Sequence, residues 1–519
     1  MTMRTVVKSD KTILCKPHCR KVRASIDLPA LGEVFSRLDS ASVLGGNIAK
    51  SNADRFSYWA AEPREVFEFK TGQEDPFGKM QKALAKYKLE ENTDVSGRTG
   101  GIGRRKQDIV PLRRASARRM GLAASGAEGK EALPAGIFRG GWIGCFAYEL
   151  GRYIEHLPAT AIDDLKMPLI RLCFYDRVIA YDHLEDAFWL IALQSPGDIE
   201  GPQEKLTFLE GLLDESRKIS VAAPAAIDLD YVDLSRFRCN MDKDYYLAMV
   251  KKVKRYIYDG DVYQINFSQR FEGDYTGSPI DLFHWENHYN PSGYAAYIDC
   301  GSHRVVSASP EMFITVADGT ISTKPIKGTR PRINETSTND RRARQINAEN
   351  LRELLNSEKE RAELNMIVDL ERNDVARICE PGTRRVIQPR TIETYPTVLH
   401  AVATVAGRLR RGIGLCDILK AMFPGGSITG APKIRSMEII DETEPTARGI
   451  YTGSIGYIGI DGSVCLNIAI RTIIIAHQKA FAQAGGGIVA DSDPEAEWDE
   501  TITKARALLA PIANATYHA

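Results

Sequence analysis

Lys327 stands between Ile326 and Gly328 in "TISTKPIKGTRPR", residues 320–332, a segment that alternates like a strand. A lysine there is ordinarily a solvated surface charge. Buried, and relieved of its proton, it is an amine nucleophile. Carboxylates able to act with it sit in two helix-like stretches. In "EKERAELNMIVDLERNDVARI" Glu360 and Glu363 are spaced i, i+3. In "SDPEAEWDETITKARALLAPI" Asp493 is the N-cap and Pro494 the first helical residue. Trp498, Ile502, Ala505 and Leu509 form its buried stripe, and Glu497, Glu500 and Lys504 share the neighbouring face. Such a face is usually only solvated, yet carboxylate oxygens from two helices are what Mg²⁺ prefers. Two glycine-rich turns could hold an anion through backbone N–H groups. "FPGGSITGAPKIRSMEIID" has a phosphate-loop spacing, but Ala431 and Pro432 stand where Lys and Ser/Thr belong, and "AQAGGGIVAD" lacks the dinucleotide pattern.

The elements that must position these groups are mostly strands. "RLCFYDRVIAYDHLEDAFWLIAL" reads as a hairpin about "DHLEDA", and "ITVADGTIST" and "GYIGIDGSVCLNIAIRTIIIA" carry the Asp-Gly hairpin signal. In "DKDYYLAMVKKVKRYIYDGD" Tyr246, Met249, Val250, Val253 and Ile257 form one helical face that ends at Gly260-Asp261, and "VYQINFSQRF" alternates as a strand. The expected fold is α+β: mostly antiparallel sheets packed face to face and covered by helices, with the pocket between sheets and helices. Acidic, Pro-containing text near 195–235 suggests a seam between an N-terminal module, 1–235, and a catalytic domain, 236–519. A basic, Gly-, Ser- and Ala-rich stretch at about 91–130 reads as a mobile insert, with no aromatics interleaved for base stacking.

The 519 residues balance 68 Lys plus Arg against 68 Asp plus Glu, so no global field recruits nucleic acid or an anionic membrane. Nine scattered Cys form no disulfide framework and point to a reducing, cytoplasmic compartment. "CKPHCRK" lacks a second ligand pair and reads as a frayed polar N-terminus. There is no signal-peptide core and no apolar run of about 20 residues.

"PIKGTRPR", "ERAELNMIVDLERNDV", "FPGGSITGAPKIRSMEIIDETEP", "GSIGYIG", "NIAIRT" and "GGGIVADSDPEAEWDETITKARA", in this order over about residues 241–508, resemble the chorismate-binding family. That family includes anthranilate, aminodeoxychorismate, isochorismate and salicylate synthases. The lysine of "PIKGT" is similar to the aminodeoxychorismate synthase branch, and Gln264 in "GDVYQ" stands where water-using members carry a lysine base. Leu364, where anthranilate synthases tend to have His, points away from that branch.

The resemblance implies Mg²⁺-dependent amination of chorismate. Lys327 would be the nucleophile and Glu311 in "SASPEMF" the general acid. Glu363 and Glu500 would hold the metal, with Glu497 joining through water. Tyr451, Arg471 and the backbone of Gly485, Gly486 and Gly487 would hold the side-chain carboxylate of the substrate. Gln264, Gly328, Thr329, His400, Ser427 and Lys504 would complete the pocket. Ammonia would come from a separate glutamine amidotransferase subunit. Anthranilate synthase component I and a catalytically silent chorismate-binding regulator remain as alternatives. "SVLGGN" stands in place of the "LLES"-like tryptophan segment of anthranilate synthases.

Two geometric expectations follow. A strict two-residue turn at Asp318-Gly319 would set Pro310, not Glu311, opposite Lys327, so a bulged three-residue loop centred on Gly319 is expected to pair 311 with 327. A cation such as Arg330 is expected to help lower the pKa of Lys327.

Overall fold

The computed structural model describes residues 12–46, 55–90, 132–229, 232–333, 341–395 and 397–515. The basic stretch at about 91–130 lies outside the described residues. Two large sheets carry the fold, one of 13 strands and one of 10. Among the described residues every pairing of these strands is antiparallel except that of Ile13–Val22 with Tyr87–Leu89. The expected α+β class is what forms.

Side-chain alternation shows how the sheets stack. Along Ala187–Gln194, Phe188, Leu190 and Ala192 enter one apolar cluster with the helices Leu28–Ser36 and Pro202–Ser216, while Trp189 and Ile191 enter a second. Ile143 and Cys145 of the other sheet share that second cluster. Their neighbours Trp142 and Phe146 face a third, which includes helices Leu415–Met422 and Lys433–Thr443. A period of two thus splits each strand between two apolar layers. The order is helices, large sheet, shared core, smaller sheet, helices. Each sheet draws strands from both sides of residue 235: Ser42–Leu44 pairs with Ala296–Asp299, and Gly141–Phe146 with Ser454–Gly459.

The anticipated helices form where their signals lie. Asp242 Oδ1 accepts from Tyr245 N at 2.8 Å and starts Lys243–Tyr258, whose Tyr246, Val250 and Val253 are fully buried. Gly260, at φ +85°, follows its end. Asp493 Oδ1 accepts from Ala496 N at 3.0 Å at the start of Pro494–Ala515. The "DHLEDA" hairpin pairs Asp182 with Ala187.

Two expectations are corrected. "CKPHCRK" is not frayed: Ile13–Val22 is a strand laid along Ala187–Gln194, with Cys15 buried and the Arg20 and Lys21 heads paired to Glu210 and Glu185. Polar side chains hid a backbone that pairs with Tyr87–Leu89 over Ile13–Cys15 and with Ala187–Gln194 over Lys16–Val22. None of the nine cysteines forms a disulfide. The Asp318-Gly319 turn is the strict two-residue form, with φ +48° and +71° and Ala317 opposite Thr320. No bulge lies there, because both central residues adopt the left-handed conformation that matches strand twist. The register shifts further along, between Met312 and Thr315.

One buried cation joins the layers. Arg448 donates from Nε to Glu444 Oε2 at 2.8 Å and from Nη2 to Glu444 Oε1 at 2.7 Å. It also donates to the carbonyls of Asn266 (2.6 Å) and Ile428 (3.0 Å) and to Thr452 Oγ1 (3.2 Å). All five guanidinium N–H groups are therefore used. Glu444 Oε1 in turn accepts from Ser268 N at 2.9 Å and Ser268 Oγ at 2.7 Å. Arg448→Met should cost about 3–5 kcal/mol, because it leaves a buried carboxylate unpaired. The double substitution Arg448→Met/Glu444→Leu should recover part of that loss, and chemical denaturation reads both.

Candidate active site

The strand Ile326–Pro331 runs antiparallel to Val398–Arg408, with Ile326 opposite Val402 and Thr329 opposite His400. Two residues, Lys327 and Gly328, therefore face one, Ala401. This is a bulge at the lysine itself. Gly328 takes φ +94°, and a Cβ there would stand 2.9 Å from Leu354 Cδ1 and 3.0 Å from Glu360 Oε2, so glycine is required. The bulge turns Lys327 out of the ladder, and its Nζ reaches the Ser427 carbonyl at 3.4 Å.

Across the hairpin, the shift between Met312 and Thr315 sets Met312 opposite Lys324. Glu311 is buried, and its Oε1 accepts from Ile326 N at 3.3 Å. Acid and amine thus become neighbours through two bulges within the strands instead of one in the turn.

Burial drives their protonation in opposite directions. It pushes the Lys327 ammonium below the ordinary lysine value; Lys504 assists, while Glu311, Glu363 and Glu500 oppose. It pushes Glu311 above the ordinary carboxylate value, with Ser427 and Lys327 tempering the rise. Both shifts favour the neutral forms. The assisting cation is Lys504, not Arg330, whose guanidinium is turned away to Glu360 at 2.7 Å and Glu353 at 3.4 Å.

Glu363 and Glu500 both act on the Lys327 amine, and Glu500 acts on Glu497. Glu363 is half-buried on Glu358–Ala376; Glu497 is buried and Glu500 exposed on Pro494–Ala515. Lys504 Nζ bonds Glu500 Oε1 at 2.7 Å and the Gly485 carbonyl at 3.0 Å, tying the last helix to the glycine strand. Burial raises Glu500, but Lys504, Lys359 and Lys327 outweigh it and hold the carboxylate below its ordinary value. Glu497 is raised, chiefly by burial, and accepts from Ser492 Oγ at 2.6 Å. Hard oxygens from two helices, with Glu500 held ionised, fit a Mg²⁺ ion. Glu363 and Glu500 are the groups that would hold it.

Other expected site residues offer donors. Arg471, at φ +48°, has a guanidinium with no hydrogen bond or ion pair among the described residues; burial lowers it and Glu286 opposes. Burial, with Arg471 and Lys324, also pushes His400 down to about 3, so its ring is neutral. His400 Nδ1 lies 2.8 Å from Thr329 Oγ1, and its Nε2 is buried without a partner. Gln264 Oε1 is likewise buried and unpartnered. Such atoms are rare in a finished core, and a polar ligand satisfies them.

Gly485, Gly486 and Gly487 pair with Ser268, Phe267 and Asn266, while the partner strand on their other edge stops at Ala482. That edge leaves backbone N–H groups outside any ladder, as a carboxylate cradle needs. A Cβ on Gly487 would lie 2.1 Å from Gln264 Nε2, and one on Gly486 would lie 3.0 Å from Glu497 Oε2. Tyr451 is buried, with its ring 5.9 Å from the Arg448 guanidinium.

Sequence reasoning missed Asn266 and Glu371. Asn266 shares the polar face of its strand with Gln264 and Ser268, a signal present as alternation. Glu371 Oε1 accepts from Gly426 N at 3.2 Å and, with the Asp374–Lys433 ion pair at 2.6 Å, seats the Ser427 turn. Nothing in the sequence separates it from a surface helix position.

The chain belongs to the chorismate-binding family: residues 56–510 match the profile described as chorismate binding enzyme. It is 40% identical to aminodeoxychorismate synthase component 1 of Klebsiella aerogenes over 372 residues, which cover 72% of this chain and 77% of the relative. It is 39% identical to anthranilate synthase component 1 of Pseudomonas putida over 380 residues, covering 72% and 75%. Among solved structures, anthranilate synthase component I of Streptococcus pneumoniae superposes with a TM-score of 0.67 at 29% identity, covering 89% of this chain and 93% of that one.

The glycine cradle yields a graded test. Gly487→Ala should displace the Gln264 side chain and weaken chorismate binding at least tenfold while stability changes by no more than about 1 kcal/mol. Gly486→Ala, which meets only the end of a carboxylate, should bind within a fewfold of wild type. Calorimetric titration checks the order.

Proposed function

We infer that the chain aminates chorismate to 4-amino-4-deoxychorismate, the precursor of p-aminobenzoate in folate synthesis, using ammonia delivered by a separate glutamine amidotransferase subunit. The observation that carries this reading is Lys327, bulged out of its strand beside a buried Glu311 and shifted toward the neutral amine. The relatives named aminodeoxychorismate synthase component 1 support it, and "component 1" in their name fits a two-subunit enzyme.

The neutral Lys327 amine attacks ring carbon 2. The ring double bonds shift, and the 4-hydroxyl leaves as water with the proton of Glu311. Ammonia then bonds to carbon 4, the double bonds shift back, and Lys327 departs as the amine. The surplus ammonia proton returns to the Glu311 carboxylate, so chorismate and ammonia become aminodeoxychorismate and water. Arg471 and the glycine edge hold the side-chain carboxylate, and His400 Nε2, Gln264 and Ser427 complete the polar lining. Bound at Glu363 and Glu500, with Glu497 nearby, Mg²⁺ would neutralise the ring carboxylate.

Mass spectrometry of the product from chorismate, Mg²⁺ and ammonium tests the reading. An aminated ring with the pyruvyl group retained supports it, and anthranilate overturns it. Without ammonia, wild type should show a covalent adduct by intact mass. Lys327→Ala should show none and should lose most amination, at least a hundredfold, while still binding chorismate. Amination at an undiminished rate would make Lys327 a bystander. Glu500→Gln should abolish turnover at ordinary Mg²⁺ with the circular-dichroism spectrum unchanged.

The active pair carries one proton, so kcat/KM should fall on both sides of an optimum. The acid limb should lie above 4.5, because Glu311 is raised, and the alkaline limb below 10.5, because Lys327 is lowered. In Glu311→Gln only the amine titrates. Its neutral fraction grows with pH, so the residual rate should lose the alkaline fall.

A further inference from the structure

We propose that Glu33, Asp281 and His284 form a second metal site, for a divalent transition ion of the Zn²⁺ type, that clamps the helix Leu28–Ser36 to the helix Pro279–Tyr289. One ligand atom from each of the three residues lies within 4.8 Å of the other two. Asp281 and His284 are spaced i, i+3, which sets them on one face of the second helix. Glu33 faces them from the first.

His284 carries the argument. It is 8% exposed, yet neither ring nitrogen has a hydrogen-bond partner. A buried imidazole normally bonds through at least one. Nε2 lies against the first helix, so close that a Cβ at Gly32 would stand 2.8 Å from it. Nδ1 points at Glu33 Oε1 from 3.5 Å. No hydrogen bond joins them. The separation matches two ligand atoms that are each about 2.1 Å from a shared tetrahedral ion, which stand about 3.4 Å apart.

The charges agree with the geometry. Burial pushes His284 down to about 4 against the opposing Asp281, so the ring presents a lone pair near neutral pH. Glu33 is raised first by burial and then by Asp281, two carboxylates whose repulsion a cation would relieve. The nearby Arg37 is also engaged by Glu215 at 3.3 Å. An imidazole with two carboxylates suits Zn²⁺ or Co²⁺, whereas Mg²⁺ prefers oxygen ligands and water. Asp281 is exposed, which leaves a way in and a coordination position for solvent.

The test is Co²⁺ titration of the full chain with Mg²⁺ in excess, so that the catalytic carboxylates stay occupied. Wild type should take up one equivalent of Co²⁺ with a visible tetrahedral absorption band that Zn²⁺ displaces. Asp281→Asn, a change at an exposed position, and His284→Gln should each weaken uptake at least tenfold. Glu500→Gln should bind as wild type does. Zn²⁺ should raise the Tm of wild type but not of Asp281→Asn. No visible band in wild type, or equal uptake by wild type and Asp281→Asn, would overturn the proposal.

Discussion

The architecture depends on the buried Arg448–Glu444 pair. Its guanidinium holds the carbonyl of Asn266 in the large sheet, that of Ile428 in the glycine turn and the hydroxyl of Thr452 near the smaller sheet. Glu149 accepts from Arg448 N and Gly449 N at 2.8 and 3.0 Å, bringing a residue of the N-terminal half to the same point. A buried charge survives only when its partners are fixed. The requirement also works in reverse, because satisfying five donors fixes the strand, the turn and the loop that form the pocket wall.

From that wall, one physical cause generates the chemistry. Exclusion from water moves the Lys327 amine and the Glu311 carboxyl toward their uncharged forms together, so one desolvation acts on both members of the pair. The distribution of charge around them is uneven. Glu363, Glu497 and Glu500 sit on helices, whereas the Arg471 guanidinium is buried and acts on His400.

Much of this was legible in the sequence. The helix faces at Tyr246–Val253 and Trp498–Leu509, the Asp-Gly turns and the antiparallel sheets follow from periodicity and turn chemistry, which are local. Lys327, Glu311, Glu363 and Arg471 were legible as motif residues, and the structure sets Glu311 and Glu363 where their charges act on the Lys327 amine. What stayed hidden was non-local. The bulge at Lys327-Gly328 depends on Leu354 and Glu360 packing beneath the glycine, and no pattern within the hairpin encodes it. Lys504 acts on Lys327 from an element far along the chain, while adjacent Arg330 is drawn off by Glu360. The strand at "CKPHCRK" owes its order to backbone pairing, which polar side chains neither reveal nor prevent.

The helix Pro494–Ala515 follows every other pocket element in chain order, and it carries Glu497, Glu500 and Lys504. A ribosome therefore delivers the cation that assists Lys327 last, after the strand bearing that lysine has already been made. Until that helix docks on the glycine strand through Lys504 and Gly485, Glu363 lacks its companion carboxylate and the amine lacks its neighbouring charge. The charge that assists the Lys327 amine thus depends on the docking of one amphipathic segment, made after the strand it serves.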